Sequence, residues 1–280
     1  MKTAICPVCG MVADSFDVVD FNKSCDPVNS TGAPLSGVPI YYYRCSDCGF
    51  LFAPEIYGWT LEEFSQKIYN SQYIEIDPDY VELRPRQNAE FLESRLGSVK
   101  GRLKHLDFGG GNGSLCQTLS KCGWNTISYD PFSSPNQVLP SEKYDLVTAF
   151  EVIEHAPDIN AFMKTMRELL SESGVLLLTT SLSDEHVVPG SRLTWWYASP
   201  RNGHISIFSS ASLERLFSNY GLRGVVSKTS LQIAYRQKTD WIELLLPPKG
   251  FKSYVRDVLA LYPPALSAAR AALKVLRRNK

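Results

Sequence analysis

The 280-residue sequence contains no apolar run of about 18 residues, and its opening stretch, MKTAICPVCG, is too polar for a signal peptide. A membrane-spanning or exported chain is thereby disfavoured, and a cytoplasmic one is expected. There is no internal repeat and no low-complexity segment. Charge of one sign is also missing, since 29 Lys and Arg offset 29 Asp and Glu. The balance is uneven: residues 241–280 hold 8 basic and 2 acidic residues, against 21 basic and 27 acidic before them. A body with excess acid lacks the basic face that nucleic acid requires. Histidine is scarce, with four in the chain, so any that falls beside a motif is a candidate for proton transfer.

What is present begins with cysteine. Four of the seven cysteines form two knuckles, Cys6-x-x-Cys9 and Cys45-x-x-Cys48, each followed by a glycine. Two such pairs read as a four-thiolate zinc site, structural because four sulfurs leave the ion no open position. A disulfide pair is disfavoured in a reducing compartment, and a redox pair lacks a βαβ setting. Cys25, Cys116 and Cys122 have no partner spacing and are expected as buried free thiols. Tyr41–Arg44 and Phe50–Phe52 look strand-like, so residues 1–54 are expected to form a β-rich zinc-ribbon module.

The segment LKHLDFGGGNGS, residues 103–114, is an apolar run that breaks into glycines. Asp107, Gly109, Gly111 and Gly113 give the spacing DxGxGxG, a strand turning into a helix with room for a ligand against the backbone. A dinucleotide fingerprint would need glycine where Ser114 stands, and a triphosphate loop would need Gly-Lys before Ser or Thr. The turn is expected to hold a nucleoside cofactor. Residues 54–58 read as a linker, and 61–73 and 86–96 as helices. Strands at 103–108, 125–129, 144–150 and 174–181 then alternate with helices at 114–122, 159–170 and 210–220, followed by one or two strands within 222–236. The expected fold is α/β, a doubly wound, mostly parallel sheet spanning residues 55–240.

In such a sheet the ligand lies beyond the carboxyl ends of the strands. Asp130 ends WNTISYDP, and Phe150, Glu151, Glu154 and His155 end YDLVTAFEVIEH. A carboxylate at position 130 suits two ribose hydroxyls, or else makes a turn before Pro131. Asp107 could equally cap the following helix.

Taken in order and at their spacing, HLDFGGGNG, SYDP, YDLVTAFEVIEHAPD and SGVLLLTTS resemble a class I (Rossmann-like) S-adenosylmethionine-dependent methyltransferase, from about Tyr69 to Ser227. The resemblance implies that the turn at 109–113 lies against the cofactor's methionine and ribose and that Asp130 holds the adenosine ribose. It places Phe150 and Glu151 at the methionine end. Tyr73, in YNSQY, resembles an aromatic lid, though it could be core. With its leading cysteine module the chain is similar to zinc-containing sugar C-methyltransferases and their shorter bacterial relatives. That implies a small-molecule acceptor, a nucleotide-linked sugar or glycan precursor. NGHISIFS, residues 202–209, matches their histidine motif, with Gly203 where that family places a glutamate.

A sulfonium donor needs no activation, so positioning and one base suffice. His204, in a polar and aromatic loop with Gly203 before it for mobility, is the expected base, and His155 the second candidate. Either could instead only bond the backbone. Trp195, Trp196 and Tyr197 could wall an acceptor or pack beneath the loop, and Arg201 could meet a phosphate or form a surface ion pair. Residues 241–280 read as a basic amphipathic tail with a helix after Pro264, docked on the protein or touching anionic lipid. Two other functions compete with small-molecule methylation. An RNA base methyltransferase would call for a basic body. A noncatalytic cofactor-binding or partner-docking protein with a decayed core is the other, and the intact DxGxGxG and EVIEH segments argue against decay, since only a ligand demands so many glycines there.

Overall fold

The computed structural model describes residues 2–25, 34–133, 137–227 and 230–246. They form two sheets. The first contains β1 (Thr3–Ile5), β2 (Val12–Asp20), β3 (Pro39–Cys45), β4 (Leu51–Phe52) and, from much later in the chain, β9 (Ser206–Ile207), in that spatial order and all antiparallel. The boundary expected at residue 54 is therefore bridged by backbone pairing, Leu51 against Ile207. The expected linker is itself a one-turn helix, α1 (Pro54–Tyr57), with proline in its first turn where no N–H is needed.

The second sheet has the order β10-β11-β8-β7-β5-β6, from β5 (Lys104–Phe108), β6 (Asn125–Tyr129), β7 (Tyr144–Phe150), β8 (Leu170–Thr179), β10 (Arg223–Val225) and β11 (Leu231–Tyr235). Strands β6, β5, β7 and β8 are parallel, and β11 and β10 close one edge antiparallel. Period-two alternation sends neighbouring residues into separate cores. Val147, Leu176 and Leu178 join Met163 and Met166 of α6 (Ile159–Leu169) and Leu213 and Phe217 of α7 (Ser210–Asn219). Leu146, Val175 and Leu177 join Leu92 and Leu96 of α4 (Leu83–Leu96) and Leu115 and Leu119 of α5 (Ser114–Lys121). Helices on both faces make this the doubly wound sheet the sequence predicts.

Local signals explain the helices. The Asp158 side chain accepts from the N–H groups of Asn160 and Ala161 to start α6, whose buried residues 159, 162, 163, 166 and 169 share one face. Ser209 and Ser212 cap α7 reciprocally. The expected helix over 61–73 divides into α2 (Leu61–Lys67) and α3 (Tyr73–Ile76), while α4 starts before residue 86 because Pro85 falls in its first turn. Strand β8 begins at Leu170, four residues early, pairing there with Tyr144. The helix expected after Pro264 lies outside the described residues.

Candidate functional site

From β5 the chain moves outward to β6, then returns to the other side of β5 for β7, so the strand order reverses beside β5. The carboxyl ends of these strands open on a cavity of about 750 Å³. Asp107, Gly109, Gly111, Asp130, Phe150, Glu151, Tyr73, His155 and His204 all line it. Gly113 does not. It stands at the N-cap of α5 with φ 77° and shapes the turn from outside.

At Gly109, φ is +76° and an added Cβ would lie 2.5 Å from Val152 Cγ2, so glycine is required there on both counts. Asp107 is buried and caps no helix. Its Oδ1 accepts from the Thr148 hydroxyl at 2.6 Å, and Thr148 Oγ1 is 2.9 Å from His105 Nε2. Burial pushes the Asp107 carboxyl up to about 7 and holds His105 neutral, down to about 3. A neutral imidazole donating Nε2–H to Thr148 fits this chain of bonds.

Asp130 does make the turn: its Oδ1 accepts from the N–H groups of Phe132 and Ser133 at 2.8 and 2.9 Å. Its Oδ2 accepts from Gly111 N–H at 3.0 Å, which ties the end of β6 to the glycine turn. A carboxylate has about four lone-pair sites, so capacity is left on the cavity side. Tyr69 packs on Phe132 (centroids 4.7 Å) and on Tyr73 (5.0 Å), and Tyr73 is buried while lining the cavity. Arg84, ion-paired with Asp77, also lines the cavity. Glu151 has φ 54°, the one positive value outside glycine among the described residues, and its N–H donates to Thr179 Oγ1 at 2.9 Å. Such a conformation costs about 1–2 kcal/mol and aims the side chain where a regular strand would not.

The far end is formed by the 3-10 turn Ile153–His155 and by the loop before β9. His204 Nδ1 lies 2.8 Å from the Tyr197 carbonyl and so carries the hydrogen, leaving Nε2 as the acceptor. Its ring packs on Tyr197 (4.2 Å) and edge-on to His155 (4.8 Å). Burial pushes His204 down to about 4 and His155 well below the ordinary value, so neither titrates near neutrality as a free imidazole would. Nor does Gly203 supply mobility. At φ +87° an added Cβ would sit 2.9 Å from His155 Nδ1, so the glycine permits close packing. Glu154, fully buried, accepts from the Tyr197 hydroxyl at 2.6 Å through Oε1. Desolvation and nearby Glu151 raise its carboxyl well above the usual range.

Of the two readings open for Trp195, Trp196 and Tyr197, the structure favours packing: Trp195 and Tyr197 are buried, Trp196 is half-buried, and none of the three lines the cavity. Arg201 makes neither a phosphate site nor a surface pair. It is buried and donates to the Ile68 carbonyl at 3.0 Å, binding the loop to α2's end. Sequence reasoning missed Arg84, Tyr69 and Phe132, which carry no motif spacing. It noted Glu154 only as a polar strand-end residue, although EVIEH places it beside His155.

The two cysteine knuckles have the same geometry. Gly10 N–H donates to the Cys6 carbonyl at 2.9 Å and Gly49 N–H to that of Cys45 at 3.0 Å, each glycine with φ 75°. The sulfurs of Cys6 and Cys48 are 3.7 Å apart and those of Cys9 and Cys45 3.4 Å, and all four lie within 4.8 Å of one another. A tetrahedral ion with Zn–S bonds of about 2.3 Å sets sulfurs about 3.8 Å apart, so the donor set fits. The seven cysteines stand as free thiols in the structure. Cys122 is exposed rather than buried as expected.

Among known proteins, the chain is 30% identical over 102 residues to a ubiquinone biosynthesis O-methyltransferase of Bradyrhizobium diazoefficiens, covering 29% of this chain and 40% of that protein. It is 28% identical over 107 residues to the protein of that name from Rhodopseudomonas palustris, covering 30% and 42%. The chain thus spans well under half the length of these curated relatives. Among solved structures, the Burkholderia thailandensis 1,6-didemethyltoxoflavin-N1-methyltransferase is similar with a TM-score of 0.46 at 15% identity, over 71% of this chain and 96% of that one. Residues 80–228 match the family described as "Methyltransferase domain". As the match takes in more than half of its length, the chain belongs to the methyltransferase-domain family.

Proposed function

We propose that this protein binds S-adenosylmethionine and transfers its methyl group to a small-molecule acceptor. The observation that carries the reading is one continuous cavity. It runs from the Asp130 carboxylate and the glycine turn at one end to His155 and His204 at the other. Asp130 holds the ribose, Tyr69, Tyr73 and Phe132 cover the nucleoside, and Glu151 and Phe150 flank the methionine end. The acceptor enters beside the two histidines. His204, neutral and with Nε2 free to accept, takes the acceptor's proton as the oxygen or carbon attacks the methyl carbon and the sulfonium leaves as a neutral thioether. The sequence resemblance supports a nucleotide-linked sugar or glycan precursor as acceptor, and the names of the curated relatives support oxygen as the atom methylated.

Zinc in the four-cysteine cluster completes the reading. The sulfur spacing supports a closed structural site that holds the first sheet together and takes no part in methyl transfer.

Titration calorimetry tests the cofactor assignment. Asp130→Ala is expected to weaken S-adenosylmethionine binding by about 1–3 kcal/mol, the scale of leaving buried polar partners unmatched. Equal affinity in parent and variant would return Asp130 to the role of a turn residue.

A further inference from the structure

Glu154, His155 and His204 contribute one donor atom each to a cluster whose atoms all lie within 4.8 Å of one another. The cluster is incomplete as it stands. Glu154 is 0% exposed, its Oε1 is engaged by Tyr197, and its Oε2 is buried without a hydrogen-bond partner. An unmatched buried oxygen is costly unless something fills the gap. His204 is arranged as a ligand is, and the buried Nδ1 of His155 has no hydrogen-bond partner. The Tyr197 carbonyl fixes His204 in the Nδ1–H tautomer, which directs the Nε2 lone pair away from the backbone. Both rings line the cavity, so further coordination positions would open onto the acceptor end. Two imidazoles and one carboxylate make a donor set for a divalent first-row ion, chemically unlike four thiolates.

We propose that Glu154, His155 and His204 hold a divalent metal ion, with open positions facing the acceptor. The ion binds the acceptor's hydroxyl oxygen. This rests on the reading above for where the acceptor sits and changes what acts on it. A cation lowers the pKa of an oxygen bound to it. The O–H bond breaks with its proton going to solvent. The oxygen lone pair then forms the bond to the methyl carbon as the carbon–sulfur bond breaks. With the ion in place His204 is a ligand, and the tautomer that would suit a base serves instead to hold the metal.

Manganese is the probe, because it favours nitrogen and oxygen donors over thiolates and so reports this cluster and not the cysteines. The full chain is titrated with Mn2+, and the free-ion electron paramagnetic resonance signal is followed. S-adenosylmethionine binding to each variant shows that it is folded. The parent is expected to bind one Mn2+ per chain. Glu154→Gln and His204→Ala should each weaken that binding at least tenfold while still binding S-adenosylmethionine, and His186→Ala, at an exposed histidine outside the cluster, should leave it unchanged. Absence of Mn2+ binding in a parent that binds S-adenosylmethionine, or undiminished binding in a folded Glu154→Gln protein, overturns the metal site and leaves the proposed function standing, with water in the gap. Cluster-dependent Mn2+ binding without S-adenosylmethionine binding overturns the proposed function and keeps the metal site.

Discussion

Gly109→Ala isolates the physical reason for the glycine turn. The substitution adds one methyl group and meets two separate obstacles. The backbone stands at φ +76°, which disfavours an L side chain by about 1–2 kcal/mol. The new Cβ would lie 2.5 Å from Val152 Cγ2 and 3.2 Å from Cγ1. Relieving such a contact moves neighbours from their preferred positions at about 1–3 kcal/mol. Together the loss is about 2–5 kcal/mol, and at about 2–4 °C per kcal/mol the melting temperature falls by roughly 4–20 °C. The two parts separate in a double-mutant cycle. Val152→Ala removes both Cγ atoms and by itself loses up to about 1.6 kcal/mol of apolar burial. In the double variant the clash is gone and only the backbone preference remains, so denaturation should give a favourable coupling of about 1–3 kcal/mol between the two changes. If the two losses add to within about 0.5 kcal/mol, the contact with Val152 is not why glycine is needed, and the steric half of the reasoning fails.

Four further outcomes are expected. Purified parent should carry about one zinc per chain by metal analysis. Cys45→Ser should lower the melting temperature in a single transition, since Cys45, Phe50 and Phe52 share one apolar core with Val147 and Leu176 of the main sheet. Asp107 binds its proton more tightly folded, at about 7, than unfolded near 4. Its contribution therefore disfavours folding increasingly as pH rises from about 4 to about 7, by up to a few kcal/mol. The melting-temperature advantage of cofactor-free Asp107→Asn over the parent should grow across that window and level off above it. His204→Ala should cut turnover by about 100-fold to 10,000-fold with S-adenosylmethionine affinity unchanged, and near-parental turnover would remove His204 from the chemistry.

The main sheet was legible because its signals are local. A run such as YDLVTAF has a length, a period and a bounding motif that need no tertiary knowledge, and β6 and β7 fall on the expected residues. The glycine-turn end of the cavity was legible for the same reason, since DxGxGxG and the acids closing β6 and β7 sit where strand order reverses. What escaped depends on contacts distant in sequence. Arg201 looks like a surface cation until Ile68 and Asn70 are brought against it. The mobility read into Gly203 depended on not knowing that His155 packs on it. Nor could residue type alone show that burial would hold His204 far below the ordinary histidine range.

The same distant contacts give the cysteine sheet a role beyond its own stability. Beyond bonds within their own loop, the backbone of residues 203–207 is fixed from the first sheet and from the turn that follows β7. The Tyr42 hydroxyl, on β3, donates to the His204 carbonyl at 2.7 Å. Ala53 N–H donates to the Ile205 carbonyl at 2.9 Å, Ile205 N–H donates to the Glu154 carbonyl at 3.0 Å, and Leu51 pairs with Ile207. His204 is thus held between the turn that carries Glu154 and His155 and the first sheet, whose strand β3 ends at Cys45. The parallel sheet supplies the glycine turn and Asp130 from its own strands, while the histidine end of the cavity is built from both sheets. On the proposed function, the β-pairing of Leu51 with Ile207 holds the histidine pair with the close placement that positioning a nucleophile against a methyl group requires, which a flexible joint would lose.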